Sequence, residues 1–457
     1  MHDPLLIGNN LALLVAANEL AQRGRALTLI ADAKPMGGHF AGMQIEGHTF
    51  DIGMVLLEKL APSQAGADLR SYDPAVRNDW TRFADRAADW LDAQLPLTRT
   101  PTPQCLVEGR FVPDYLIANR LDVFHGTDPG ARAAFDRTDP RHAANKNAGG
   151  AYDHLSYADA AHLNHGEALH LRFVEPFVRK LLGVSSDAFE ARYHRAAWVP
   201  LYHPETLAAA QRGEATGLAE YAFWTTEQGC VAPLVARLVE QLRAAPTVTV
   251  VASAVTSIER SDTLWHAQVD GGGRWAASQL ALGMPAERGR TLLGLPALPA
   301  SMAASVAVSF CLVRADAIGR PLSCLMVVDE SFCTYRLSDQ DAQAGLDVPW
   351  HRVVLEASPE MLARHAPLES ADGVLRRELC ALMGIADEDA VTVLRSITAR
   401  NALTLPMSAC VAQARDAHDA LAAAAPGAAL TGALLGYGAA SLNDQIVQGL
   451  KIAQEFS

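Results

Sequence analysis

Paired cysteines, basic runs and long apolar stretches are all missing from this sequence. Its seven cysteines, Cys105, Cys230, Cys311, Cys324, Cys333, Cys380 and Cys410, are scattered, and none forms a CxxC pair. No Cys/His set has zinc-ligand spacing, and lone cysteines in a long chain read as small buried hydrophobes of a reducing compartment. No Lys/Arg cluster offsets the net charge of −13, which excludes nucleic acid and anionic lipid as partners. No apolar run reaches the roughly 20 residues of a membrane-spanning helix. Met1-His2-Asp3-Pro4 has no basic stretch and does not read as a signal peptide. No nucleophile elbow or Ser/His/Asp order supports a hydrolase. These absences together predict a soluble, cytoplasmic, globular protein.

What is present is length and apolar content. A chain of 457 residues, half of them hydrophobic, can bury a large core and divides into about two or three domains. Leu5-Leu6-Ile7 reads as a strand ending at Gly8. Leu11 to Gly24 reads as a helix, and Ala26 to Ile30 as a second strand. A strand–helix–strand unit of this kind opens many nucleotide-binding α/β domains. Trp80 to Leu95 is helix-like, and Gly126 to Gly150, rich in Asp, Arg, Gly and Asn, reads as a mobile lid or a disordered stretch. Leu169 to Leu182 and Val231 to Leu242 have helical periodicity. Strands are expected at Val248 to Val251, Val255 to Ile258 and Trp265 to Val269, with Gly271-Gly272-Gly273 as a turn, and again at Ser305 to Val313 and Leu325 to Val328. Leu442 to Phe456 closes the pattern as a helix.

Taken in order, these pieces resemble the two-domain flavoproteins of the amine oxidase and protoporphyrinogen oxidase superfamily, which includes the UDP-galactopyranose mutases. Four blocks carry the likeness: Ile7 to Gly24; Gly37-Gly38-His39 with Phe50-Asp51-Ile52-Gly53; Phe223-Trp224 and Gly229 running on to Val255; and Gly432 to Ala453. Phe173 to Gly183 is similar to the family's substrate-domain helix. The resemblance implies an α/β fold, with a Rossmann-like FAD/NAD(P)-binding domain and an inserted mixed-sheet plus helical substrate domain. The expected division is dinucleotide-binding parts at 1–60, 223–300 and 406–457, a largely helical substrate or lid region at 61–222, and a β-rich substrate domain at 301–405.

It also implies a non-covalently bound FAD, with Gly8, Asn9, Asn10, Asp32, Gly37, Gly38, His39, Asp51, Gly53, Val255, Gly432, Gly438, Ala439, Ser441, Leu442 and Asn443 at cofactor-binding positions. A dinucleotide loop needs small residues so that backbone amides reach the pyrophosphate at a helix N-terminus. At those points the sequence departs from the pattern. Of three loop glycines only Gly8 is kept, with Asn10 and Leu13 in the other two places. The ribose acid falls on Ala31, with Asp32 adjacent, and the late Gly-Asp is Gly432-Ala433. Two readings stay open: FAD bound in an altered way, or a fold that has lost its flavin. The glycine pair is a candidate anion nest or an ordinary turn. His39 is a phosphate contact or a plain surface residue, Val255 an adenine contact or sheet core, and Ser441 an N-cap in either case.

Candidate catalytic residues are Tyr335 and Arg336 on one strand, Lys180 on a helix, and His194, Arg195 and Tyr202 in an aromatic and basic stretch suited to an anionic or glycosyl substrate. The leading expectation is a flavin-dependent oxidoreductase acting on a C–N or C–C bond of a small molecule in a biosynthetic pathway. The alternatives are a mutase-like, net non-redox flavoenzyme on a nucleotide sugar, and a cofactor-free relative serving as partner subunit of an enzyme complex. Homodimer and partner subunit are both open as assemblies.

Overall fold

The computed structural model describes residues 3–32, 35–59, 86–112, 155–167, 170–194, 199, 223–365 and 369–457. The expected lid at Gly126 to Gly150, and the candidates Arg195 and Tyr202, lie outside them.

Five short apolar segments build a parallel sheet: β1 (Leu5–Gly8), β2 (Leu27–Ala31), β3 (Val248–Ala252), β4 (Leu280–Gly283) and β5 (Ala429–Leu430), in the order β3-β2-β1-β4-β5. Every neighbouring pair is parallel, with Leu6 opposite Leu29 and Ala281. Strand side chains alternate between faces, and both faces are covered. Leu6, Leu29 and Ala281 pack against three helices, α1 (Leu11–Gln22), α2 (Ala232–Ala244) and α3 (Leu442–Glu455). Leu5, Ile7, Ile30, Leu280 and Leu282 face the other way, onto the antiparallel strands Val255–Ser261, Leu264–Val269 and Arg274–Ala277. Burial on both faces is why these strands read as continuous apolar runs. Helices α1 and α3 touch closely because residue 449 is glycine: a Cβ there would stand 2.6 Å from the Ala12 carbonyl oxygen.

A second, seven-stranded sheet has the order Val391–Thr404, Ala303–Arg314, Trp350–Ala357, Thr334–Asp339, Cys324–Val327, Gln104–Val107, Arg110–Val112. It is antiparallel except where Cys324–Val327 runs parallel to Gln104–Val107. The fold is thus a Rossmann-like sheet beside a mixed-sheet and helical layer. Two of the seven strands come from a stretch read from sequence as largely helical. Glu108 (φ 52°) and Gly109 (φ 71°) make the tight turn that joins them. A second difference falls in Leu169 to Leu182, where a π-helical turn at His170–Val174 precedes the α-helix Glu175–Leu182. Pro176 offers no amide to an α-helical bond, so the ladder resets at that point.

Candidate functional site

The loop after β1 is shaped by one close approach. Gly8 has φ 134°, and a Cβ there would lie 2.0 Å from the carbonyl oxygen of Gly283 at the end of β4. Only glycine fits that position. The third glycine of a dinucleotide loop lets helix pack on strand, and here Leu13 holds its place. The small residue stands on the strand instead: a Cβ on Gly283 would meet Leu13 Cγ at 2.7 Å and Asn10 Oδ1 at 2.3 Å. The close packing is kept with the glycine moved across it.

In the first turn of α1 the amides of Leu11 and Leu13 are already partnered by side chains. Asn10 is the N-cap (φ −72°, ψ 163°), and its Oδ1 accepts the Leu13 amide at 3.1 Å. Asn10 Nδ2 donates to Thr431 Oγ1 at 2.8 Å, which ties the loop to the end of β5. The Leu11 amide donates to Gln445 Oε1 at 3.0 Å. Leu11, Ala12 and Leu13 are all fully buried by protein atoms.

Gln445 belongs to α3, and Gln448, one turn further on, repeats the arrangement. Gln448 Oε1 accepts the Gly432 amide at 2.8 Å, while its Nε2 donates to the Ala439 carbonyl at 2.7 Å. Gln445 Nε2 donates to the Ala440 carbonyl at 2.9 Å. Each glutamine therefore bridges a loop amide to the chain just ahead of α3. Gly432 (φ 58°) and Gly438 (φ 78°) provide left-handed turns in this block, and Ser441 caps α3 by accepting the Asp444 amide at 3.2 Å. Leu442 and Asn443 are buried in its first turn.

Toward the ribose and adenine ends the pattern is the same. Ala31 is buried at the close of β2. Asp32 is exposed, and its amide donates to Asn9 Oδ1 at 3.1 Å. The carbonyl of the buried Val255 accepts from Arg288 Nη2. In the glycine pair, the Gly37 amide donates to the Asn9 carbonyl at 2.7 Å and the Gly38 amide to the Pro35 carbonyl at 3.3 Å. A Cβ on Gly37 would meet Val235 of α2 at 2.3 Å, so this turn holds a helix in place. His39 stands exposed against Phe40.

Asp51 is buried and caps a helix distant from it in sequence. Its Oδ2 accepts the Val231 amide at 2.7 Å and its Oδ1 the Ala232 amide at 3.1 Å, at the N-terminus of α2. Gln340 brackets its backbone, donating to the Asp51 carbonyl at 3.2 Å. Burial pushes the Asp51 carboxyl up to about 7, against the pull of those two amides and of Arg352. Arg352 itself pairs with Asp341 and donates to the Thr49 carbonyl at 2.7 Å, joining the seven-stranded sheet to this block. Gly53 (φ 82°) leaves room for Glu356, whose carboxylate would stand 2.8 Å from a Cβ there.

The candidate catalytic side chains that the structure describes are engaged by protein groups or enclosed in the core. Arg336 Nε and Nη2 both donate to the Glu356 carboxylate, which also accepts the Met54 amide at 3.0 Å. Tyr335 is 1% exposed, and burial raises its phenol well above the ordinary range. Lys180 Nζ donates to the carbonyls of Val327 and Asp329 at 3.0 and 2.9 Å, and burial lowers its amine to about 7. His194 is buried, with Nδ1 3.0 Å from the Val199 carbonyl. The structure brings Arg336 to Gly53-Met54 through Glu356, and packs the helix of Lys180 against the strand that carries Tyr335 and Arg336.

Pyrophosphate oxygens can only accept, so the site needs open amides at the start of α1. Those of Leu11 and Leu13 are taken by Gln445 and Asn10, inside a protein-filled space. At these two amides the residues present do not fit a dinucleotide. Sequence reading missed Gly283, Thr431, Gln445, Gln448 and Glu356. A signal for the two glutamines does exist: Asn443, Asp444, Gln445 and Gln448 are polar residues interleaved with Ile446, Val447 and Leu450 on a helix whose core-facing side should be apolar.

No family model matches the sequence, and no curated protein matches it. Solved structures do. A protein assigned as a protoporphyrinogen oxidase from Exiguobacterium sp. 255-15 is 16% identical, with a TM-score of 0.64 over 99% of this chain and 98% of its own. Reduced UDP-galactopyranose mutase is 14% identical, with a TM-score of 0.68 over 100% and 95%. Putrescine oxidase bound to putrescine is 13% identical, with a TM-score of 0.59 over 99% and 98%. The chain has the two-domain fold that its sequence resembles, along its whole length. No helix among the described residues is long and apolar enough to cross a membrane.

Proposed function

We propose that this chain is a cofactor-free relative of the two-domain flavoproteins, acting as a partner subunit of an enzyme complex and not as its redox catalyst. The observation that carries the reading is the Leu11 amide, which donates to the chain's own Gln445 at the point where a dinucleotide would be bound. The candidate catalytic groups agree with it. Arg336 and Lys180 are engaged by Glu356 and by backbone carbonyls, and Tyr335 is enclosed in the core. What the chain retains is shape, and shape is what a partner surface requires.

A flavin-dependent oxidoreductase acting on a C–N or C–C bond of a small molecule is the second reading. Two of the neighbouring structures are named as oxidases and one as a mutase. The Gly8 crossing and the Gly37-Gly38 turn, both retained, favour it. In that reading FAD supplies the hydride or electron chemistry. Tyr335 and Arg336 then face the reacting molecule, with His194, Arg195, Tyr202 and Lys180 as further candidates. The mutase alternative on a nucleotide sugar draws on the same residues.

A visible absorbance spectrum of the purified protein, before and after adding excess FAD and removing what is unbound, decides between them. The cofactor-free reading requires a colourless protein in both cases, and a retained flavin band overturns it.

A further inference from the structure

Gln445 and Gln448 are one turn apart on α3; the side chain of Gln445 reaches the start of α1 and that of Gln448 the turn at Gly432. We propose that they act as an internal ligand, filling the dinucleotide site and making the hydrogen bonds that a pyrophosphate would make. This rests on the cofactor-free reading and extends it: the site is closed by named side chains, and their removal opens it to a nucleoside diphosphate.

The argument is one of donors and acceptors. The amides at the start of α1 and at Gly432 are obligatory donors in a buried place, and a buried donor without an acceptor is costly. In a dinucleotide-binding chain the acceptor is a phosphate oxygen. Here it is a carboxamide oxygen: Gln445 Oε1 for Leu11 and Gln448 Oε1 for Gly432. A carboxamide also carries donors, and these are satisfied too, by the carbonyls of Ala440 and Ala439. Both glutamines are 6% exposed, so the closure is part of the packed interior. Asn10 completes it, taking the Leu13 amide on one side and Thr431 on the other. Its Nδ2 would lie 3.0 Å from a Cβ on Gly432, so this side chain occupies the gap between the first loop and the last. At the far end, Arg288 takes the Val255 carbonyl, a backbone group with which an adenine could otherwise pair.

The substitution of ligand by side chain has an energetic consequence. A chain that depends on its cofactor gains stability when the cofactor binds the folded state. A chain with its own acceptors in place has nothing further to gain. The full-length protein should melt at the same temperature with and without millimolar ADP or FAD.

The test has two parts. Hydrogen exchange on the wild-type protein reads the backbone amides of Leu11, Leu13 and Gly432 directly. The closure requires slow exchange at all three, and fast exchange overturns it with no variant needed. Thermal melts then compare wild type with Q445A/Q448A, which removes the carboxamides together with the side-chain bulk that fills the site. The variant should melt several degrees lower and regain part of the loss on adding ADP, while wild type does not respond. A variant that melts like wild type, or a wild type stabilised by ADP, overturns the proposal. A retained flavin band together with protected Leu11 and Gly432 amides supports the closure while overturning the cofactor-free reading, because the flavin would then be held elsewhere.

Discussion

The Leu11 amide and Gln445 Oε1 lie 3.0 Å apart across 434 residues of chain. One hydrogen bond thus joins the first helix of the parallel sheet to the last, at the point where the fold would otherwise admit a phosphate. Glutamine is a neutral acceptor, so the contact meets the hydrogen-bonding demand of the helix N-terminus without bringing a charge to it.

Asn10→Ala removes the N-cap of α1 and the bridge to Thr431. An N-cap loss of this kind costs about 0.5–2 kcal/mol. Urea denaturation should report a lower midpoint with an unchanged slope. Asn10→Gly should cost less than the alanine, since glycine is tolerated at an N-cap. Two variants that unfold at the wild-type midpoint would show that the cap contributes nothing here.

Leu13 and Gly283 form a coupled pair in which the strand carries the small residue. Gly283→Ala should destabilise strongly, because its Cβ would meet Leu13 Cγ at 2.7 Å and Asn10 Oδ1 at 2.3 Å. Leu13→Ala alone should also destabilise, by removing a buried side chain. In combination the losses should be smaller than their sum, with a coupling of roughly 0.5–3 kcal/mol in a double-mutant cycle. Simple additivity would sink the idea that the glycine has moved from helix to strand.

The Arg336–Glu356 pair is nearly enclosed, with side chains 13% and 8% exposed. Arg336→Ala leaves a buried carboxylate without its counter-charge, a change worth about 3–5 kcal/mol. The double variant Arg336→Met, Glu356→Gln should be distinctly more stable than Arg336→Ala, because no charge is stranded and the introduced carboxamide can still accept the Met54 amide. Calorimetric melts of the three proteins rank them. If Arg336→Ala melts with wild type, the pair is not a structural element and a substrate role for Arg336 gains weight.

Asp51 should make stability fall as pH rises. Its carboxyl is raised from 3.8 to about 7 in the folded protein, so the folded state holds that proton more tightly than the unfolded one. The contribution of this group is therefore present in full below about pH 4 and lost as pH climbs through about 7. Asp51→Asn should flatten the slope of unfolding free energy against pH across that window. It should also lower stability at its upper end, because a carboxamide has one acceptor oxygen for the two amides of Val231 and Ala232. Denaturant midpoints at a series of pH values check the sign, and a slope that survives the substitution assigns it to another group.

The sheet was largely legible in the sequence, because strands buried on both faces leave continuous apolar runs. Leu5-Leu6-Ile7, Ala26 to Ile30 and Val248 to Val251 all became strands of the parallel sheet. The hairpin at Gln104–Val112 was not legible: two strands of four and three residues carry too short a pattern to separate from the helical stretches around them. At the site, the missing glycines were visible, but what replaced them was not. Gln445 and Gln448 stand out as polar residues on a buried helix, but they act on residues more than 400 positions away or on the far side of a turn, and the local pattern does not name those partners. The same holds for Glu356 beneath Gly53 and for Asp51 at the start of α2. Each is a tertiary contact made by a residue that its own segment does not require.

The parallel sheet carries one more consequence, for how the chain is made. Its central strand β1 is synthesised some 420 residues ahead of β5 and the glutamines of α3. The α1 amides must wait for more than 400 further residues before their acceptors exist, and contacts of such separation are slow to form. The newborn chain passes through a period in which an early segment is still unfinished. During that interval the open end of α1 is exposed to chaperones, or to any small anion that reaches it before the chain's own side chains do.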